Sequence, residues 1–379
     1  MNAVPRMQLG PGAPAASERR AKVLLLCGYP KGSVPGQRFR YEQYLDKLNA
    51  RGVDFDIESF LDESVMRILY TRGNYGLKAF HVLKGFFRRV VMLPRARKYD
   101  FVFIYREASP VGPPIIEWCL FAMGCKVIYD FDDAIFVAQK SKANPFMPYI
   151  RCAWKISYIA RKAHIVSVCN PYLLEWARER NSHVALIPTT IDENYHKPAT
   201  SGGESRGRPV IGWTGAHSTA RYLDLVRPAL TELQQRYDFE FRVICDHDPG
   251  FPEIKNYRFV KWRLETEVED LSAFDIGLMP VPDGDWERGK VGFKAIQYSG
   301  LGMASVVSET GSGREVVVDG ETGYAVANDT ASWTVALERL LADPHRRREM
   351  GRNARTYILK KYSVGANVQN YLRLFGVDR

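Results

Sequence analysis

The sequence predicts an α/β protein of two doubly wound units in series, each an open parallel sheet with helices on both faces. Three observations carry this. Short apolar runs alternate with helical stretches through the first half of the chain. A stretch rich in glycine, proline, serine and charge, HKPATSGGESRGRP at 196–209, then interrupts the alternation. Behind it, strand and helix signals restart and continue to the last residues.

The first strand is Ala21–Cys27 (AKVLLLC), followed by a glycine-rich loop and a helix from Gln37 to Leu48. Further strands are expected at Val53–Glu58, Phe101–Tyr105, Lys126–Tyr129, Ile165–Val168 and Val184–Pro188. In the second unit they fall at Val210–Trp213, Glu240–Ile244, Tyr257–Val260, Asp275–Met279, Ala304–Ser308 and Gly323–Ala325. Helices are expected near Ala220–Arg236, Val291–Leu301, Gly313–Val318, Ala331–Leu341 and Pro344–Tyr362. The resulting divisions are a disordered 1–20, an N-terminal domain 21–195, a linker 196–209, a C-terminal domain 210–362 and a tail 363–379.

Composition agrees with a globular chain of about two domains: 379 residues, 46% hydrophobic and 25% charged. The six cysteines form no C-x-x-C pair, which argues against a zinc or disulfide framework and for a reducing compartment. Residues 1–20 lack the apolar core of a signal peptide, and no apolar run reaches the roughly 18 residues of a membrane span. The formal charge of +10 is uneven. Val65–Tyr99 contains no Asp or Glu, and its basic residues interleave with apolar ones. Two readings stand: a helix on an acidic lipid surface, or a helix packed on a sheet with a solvated basic face. Nucleic-acid binding is set aside, because no zinc-finger or RRM-type motif accompanies the charge.

In an open parallel sheet, ligands bind beyond the carboxyl ends of the strands. The most telling segment is 284–323, which reads as loop, helix, strand, glycine-rich turn and helix start. Arg288 and Lys290 precede the first helix, and the turn Glu309–Gly313 follows the strand. Backbone N–H groups at such a turn and helix start form an anion site. Two cations at the same edge suit a diphosphate better than a carboxylate.

This segment resembles the donor region of GT-B glycosyltransferases of family 4, the group 1 glycosyltransferases. Gly302-Met303-Ala304-Ser305-Val306-Val307 resembles the family's strand entry, and Gly311, Glu315, Gly320 and Gly323 its tail. The family's Glu-x7-Glu positions fall on Gly289 and Gln297, so one carboxylate is missing and the other is an amide. Glu287 is a candidate substitute. The resemblance implies two Rossmann-like domains about a cleft, with a last helix, near Val364–Phe375, crossing back to the first domain. It implies donor binding by Glu287, Lys294, Gln297, Thr310, Gly311, Ser312 and Gly313 beside the clamp of Arg288 and Lys290.

Other strand ends supply further candidates. The loop after Val210–Trp213 offers Gly215, His217 and Ser218 toward the diphosphate, with Ser218 or Thr219 as a helix cap. His217 reads equally well as an idle surface imidazole. Lys261 and Trp262 end the third strand, where Trp262 either stacks on a base or packs in the core. Gly28, Gly36 and Arg38 lie on the loop that in the resembling family covers the donor. Asp130, Asp132 and Asp133 crowd one strand end. Such carboxylates are costly unless they meet a ligand, a cation or water, and an acceptor hydroxyl or a divalent ion would serve, as would simple capping. Arg106 and Glu107 are acceptor-side candidates or a buried ion pair.

The resemblance implies transfer from a nucleoside-diphosphate sugar to a sugar, lipid-linked or small-molecule acceptor. It implies retention at the anomeric carbon, no cofactor beyond the co-substrate and no essential metal. The expected setting is cytoplasmic, at the inner face of a membrane if Val65–Tyr99 binds lipid. Two alternatives remain: an inactive nucleotide-sugar-binding subunit, and a GT-B epimerase.

Overall fold

A computed structural model describes residues 20–69, 73–137, 152–198 and 207–377. The expected disorder of residues 1–19 and the middle of the expected linker, 199–206, lie outside the described residues, as do 70–72 of the basic segment. The first sheet comprises β1 (Ala21–Cys27), β2 (Val53–Ser59), β3 (Phe101–Tyr105), β4 (Val127–Phe131), β5 (Ile165–Val168) and β6 (Val184–Leu186). The second comprises β7 (Val210–Gly215), β8 (Glu240–Cys245), β9 (Tyr257–Lys261), β10 (Ile276–Met279), β11 (Ala304–Ser308) and β12 (Gly323–Val326). Strand order is β2-β1-β3-β4-β5-β6 in one and β12-β11-β10-β7-β8-β9 in the other. Every pairing is parallel.

The sequence explains the layering. β4 and β11 bury every residue, as strands must when helices cover both sheet faces. Strand order reverses between β1 and β3 in the first sheet and between β10 and β7 in the second. At each reversal the loops leave in opposite directions and open a crevice at the carboxyl edge.

The expected helix Gln37–Leu48 is broken. A helix at Pro35–Arg40 stops at Tyr41 (φ −136°), a 3-10 turn spans Glu42–Tyr44, and a short helix Leu45–Asn49 follows. Packing overrides propensity here: the Tyr41 ring sits edge-on to Phe103 and Tyr105 beneath the sheet edge. The expected helix Ala220–Arg236 is likewise split, into His217–Ala220, a 3-10 turn Arg221–Leu225 and Arg227–Leu233. Pro228, in the first turn of the last piece, cannot continue a helix from upstream.

β4 runs to Phe131, farther than the expected Tyr129, so Asp130 belongs to the strand rather than to the loop after it. Its carboxylate is fully buried and pairs with Arg40, at 2.9 Å from Nε and 2.7 Å from Nη2. Arg40 also donates to Ser167 Oγ at 3.1 Å and to the carbonyl of Ile187. One guanidinium thus ties the helix after β1 to β4, β5 and the end of β6. Burial is the largest single influence and opposes the charge on Arg40, but the Asp130 carboxylate, with Tyr371 and Cys169 adding to it, holds the guanidinium well above its ordinary value.

The helix Val364–Leu374 packs against the first sheet. Val364, Val368, Tyr371 and Leu372 join Leu25, Tyr44 and Phe103 in one apolar cluster. The Tyr371 hydroxyl donates to the carbonyl of Arg40. Removing one member of the buried pair would leave an uncompensated charge. Asp130→Ala is therefore expected to cost about 3–5 kcal/mol of stability, measured by urea denaturation.

Candidate functional site

The carboxyl edges of the two sheets face each other across a cavity of about 230 Å³. The N-terminal domain lines it with Pro35, Gly36, Phe39, Arg106, Asp132, Asp133 and Thr189. The C-terminal domain contributes Tyr222, Met279, Val281, residues 290–294 and Thr310–Ser312.

On the N-terminal wall, Arg106 organises two carboxylates. Its Nε lies 2.7 Å from Asp132 and its Nη2 2.6 Å from Asp133. The Tyr105 hydroxyl donates to both Asp132 oxygens at 2.9 Å. Burial pushes the Tyr105 phenol well above its usual range, so it remains a donor. Burial also raises Asp133, against the pull of Arg106, with Asp132 adding to the rise and Lys290 opposing it. Arg106 adopts φ +62°, left-handed backbone that costs a non-glycine residue about 1 kcal/mol or more and turns the side chain back onto the strand end.

On the facing wall, Lys290 and Lys294 reach the cavity. Lys294 lies over the Trp213 ring and Lys290 over the Trp286 ring, at 5.6 and 5.8 Å. Burial first, and then the like charge of Lys290, pull the Lys294 ammonium down to about 8. An anion between the two lysines would relieve both effects. The helix after the turn spans only Gly313–Val316, so this edge offers backbone N–H groups and not the macrodipole of a long helix.

Close packing joins the two walls. Gly311 has φ +65°, and a Cβ there would stand 2.9 Å from the carbonyl oxygen of Glu287. The 286–290 loop and the 310–313 turn are thus in contact, as a shared anion site requires. A Cβ at Gly289 would meet Ala134 Cβ at 2.6 Å and its backbone N at 2.7 Å. Asn170 donates to the carbonyls of Gly289 and Lys290 at 3.0 and 3.4 Å. The missing carboxylate at 289 therefore has a physical reason: the loop after β4 occupies its space. Phe39 and Phe293 add a ring contact at 4.3 Å across the cleft.

Several expected site residues have other partners. Asp130 is not at the cavity, being paired with Arg40 inside the sheet. Arg288 pairs with Asp283 at 3.0 Å, and Lys294 stands beside Lys290 in its stead. Arg38 bonds Glu267 across the domains at 2.8 Å. Glu107 pairs with buried Lys155 at 3.5 Å, so Arg106 and Glu107 belong to different ion pairs. Gln297 is buried beside His196, whose imidazole burial drives down to about 4. Glu287 accepts from the Tyr222 hydroxyl at 2.6 Å, one residue behind the cavity wall. Gly36 lines the cavity, where a Cβ would stand 2.7 Å from the Tyr105 hydroxyl, whereas Gly28 has open space around it. Lys261 is exposed, and Trp262 packs on the cluster of Val210, Ile244 and Phe274.

The loop after β7 departs from expectation. Neither Ser218 nor Thr219 caps the following helix. Asp246, after β8, accepts the His217 N–H at 2.7 Å instead, so a carboxylate of the chain itself holds that helix start. His217 and His247 both direct Nδ1 to Asp246 Oδ2 at 2.9 Å. These three exposed side chains are, among the described residues, a group whose ligand atoms lie within 4.8 Å of one another. Gly215 admits the Trp213 ring at 2.5 Å and Lys294 Cε at 3.0 Å from the place of a Cβ.

Thr189, Tyr222 and Lys294 complete the wall. Thr189 is buried, its hydroxyl has no hydrogen-bond partner among the described residues, and it faces the cavity. Its signal in the sequence was only its place after a strand.

Residues 208–343 match the family described as glycosyl transferases group 1. A D-inositol 3-phosphate glycosyltransferase of Gordonia bronchialis is 35% identical over 86 residues, a stretch that is 22% of this chain and 19% of that protein. The whole fold resembles Anabaena HepE in complex with UDP and glucose, at TM-score 0.67 and 14% identity, over 94% of this chain and all of that one. It also resembles sucrose-phosphate synthase of Thermosynechococcus elongatus, at TM-score 0.64 and 16% identity, with 94% and 100% coverage. The expected GT-B architecture is thus present, and the segment that matches the family spans the second sheet and residues 284–323. Restoring a carboxylate to it at position 289 is expected to fail sterically. Gly289→Glu should lower stability by about 1–3 kcal/mol, read by urea denaturation.

Proposed function

We propose that this protein is a glycosyltransferase that binds a nucleoside-diphosphate sugar on the C-terminal domain and passes the sugar to an acceptor held by the N-terminal domain. The observation that supports it most is the convergence of Lys290, Lys294 and the Thr310–Ser312 turn on one cavity, opposite the Arg106-bound pair Asp132 and Asp133. The UDP and glucose in the HepE complex add support for this class of donor.

The chemistry follows from the charges. As the sugar leaves, negative charge grows on the diphosphate, and preorganised cations and N–H donors stabilise it. Lys290, Lys294 and the turn supply that stabilisation without a metal. Asp133, raised by burial, sits where it can accept the acceptor's proton as the new bond forms. Direct contact between the domains excludes the water that would otherwise compete. Retention, with the leaving phosphate oxygen as an alternative proton acceptor, follows the family resemblance.

The acceptor is a sugar, a lipid-linked sugar or a small molecule. We place the protein in the cytoplasm, at the inner face of an acidic membrane through the Val65–Tyr99 segment. An inactive nucleotide-sugar-binding subunit is the second reading, favoured by Gly289 and Gln297 in place of the two carboxylates. Tight donor binding without turnover across an acceptor panel would select it.

A thermal-shift screen against nucleoside diphosphates and their sugars is the first test, with stabilisation expected. Lys290→Ala is expected to raise the transfer barrier by roughly 2.7–4 kcal/mol, and unchanged turnover would remove its role. The Lys294 value near 8 sets a pH dependence. The ammonium is charged below that value and neutral above it. Affinity for UDP should therefore hold below about 8 and fall as pH rises through it, and Lys294→Met should flatten that decline in calorimetric titrations.

A further inference from the structure

The helix Tyr75–Met92 shows its apolar ridge to solvent. Leu77, Phe80, Leu83, Phe87, Val90 and Val91 recur at three- and four-residue spacing, which makes one stripe on a helix. All six are exposed, Leu83 by 68% and Phe87 by 69%. A stripe of this kind normally turns inward, and contiguous apolar patches on soluble monomers are uncommon unless something binds them.

The inner face of the helix is already committed. Gly85 lets the backbone approach the ring of Phe60, where a Cβ would be only 2.7 Å away. Buried Arg89 donates to the carbonyls of Cys27, Glu58 and Ala108 at 2.8, 2.9 and 2.9 Å. Those carbonyls lie at the ends of β1 and β2 and just past β3. The helix is therefore fixed to the carboxyl edge of the N-terminal sheet, the edge that also carries the cleft, and the ridge cannot roll inward without breaking three bonds from a buried guanidinium.

Charge indicates what covers the ridge. Lys84 and Arg88 are matched by Asp62 and Glu58 at 2.8 and 3.4 Å. Beyond the helix, Arg95, Arg97 and Lys98 are exposed on the 3-10 turn Leu93–Lys98, in a segment free of acidic residues. An apolar ridge lying flat and bordered by cations fits the interface of an anionic bilayer, apolar groups among the acyl chains and cations at the headgroups. Among the described residues no helix is long and apolar enough to cross a membrane, so docking would be peripheral.

We propose that the Tyr75–Met92 ridge, with Arg95, Arg97 and Lys98, docks this protein on an anionic lipid surface and holds the mouth of the cleft against it. This deepens the peripheral-membrane reading and is independent of sugar transfer. The test is flotation of the full chain with vesicles of phosphatidylcholine alone and of phosphatidylcholine mixed with phosphatidylglycerol. The wild type should float with the anionic vesicles and much less with the neutral ones. Phe80→Glu combined with Phe87→Glu should abolish flotation, with circular dichroism and UDP-induced thermal shift unchanged. Replacing Arg95, Arg97 and Lys98 by Ala should weaken anionic binding by roughly fivefold per charge and reduce its salt sensitivity. Equal recovery with both vesicle types, or flotation indifferent to the Phe changes, would overturn the proposal. So would a dimer in lipid-free buffer that the Phe changes dissociate, because the ridge would then be a protein interface. A loss of flotation with UDP binding intact separates failure here from failure of the transferase reading.

Discussion

Three carboxylates at the end of one buried strand govern the N-terminal half of this protein. Asp130 lies in β4, and Asp132 and Asp133 follow its last residue directly, where water is largely excluded. Each must be neutralised, because an isolated buried carboxylate is too costly to keep ionised. Arg40 takes the first from below and Arg106 takes the other two from above. The breaks in the helix after β1 and the left-handed backbone at Arg106 both accompany the delivery of these guanidinium groups.

The same pairing divides structure from chemistry. Asp130 is sealed in a satisfied network that ties helix to sheet. Asp132 and Asp133 keep contact with the cavity, oriented by Arg106 and Tyr105. Across from them the charge balance reverses, and two lysines share a pocket with, among the described residues, no acidic lining residue of their own wall. That asymmetry polarises the cleft: carboxylates on the N-terminal wall, ammonium groups on the other. An anionic leaving group and a hydroxyl nucleophile would sort themselves accordingly.

Glycine decides how closely the walls approach. At 289 Ala134 of the opposite wall takes the space a side chain would need, and at 311 the backbone of Glu287 on the same wall does so. The chain gives up a carboxylate at 289 and gains contact between domains. The polar groups that face the cavity are drawn from both sides, Asp133 and Thr189 from one wall and Lys290 and Lys294 from the other. Gln297, in contrast, is buried and turned to His196.

The sequence by itself determined the two parallel sheets, since short apolar strands alternating with helices have few other ways to bury both faces. Among the described residues, all twelve strands fall where the pattern indicates, within one or two residues at most ends. It also marked the 284–323 segment, because glycine spacing and flanking cations are local features. Which charges meet was decided only by tertiary structure. Arg288 and Lys294 look alike as letters, but one turns to Asp283 in solvent and the other enters the cavity over Trp213. Arg38 and Glu267 lie 229 positions apart in the chain and pair all the same. Electrostatic partners are set by distance in space and by the exclusion of water, and neither can be read until the strands have been brought side by side.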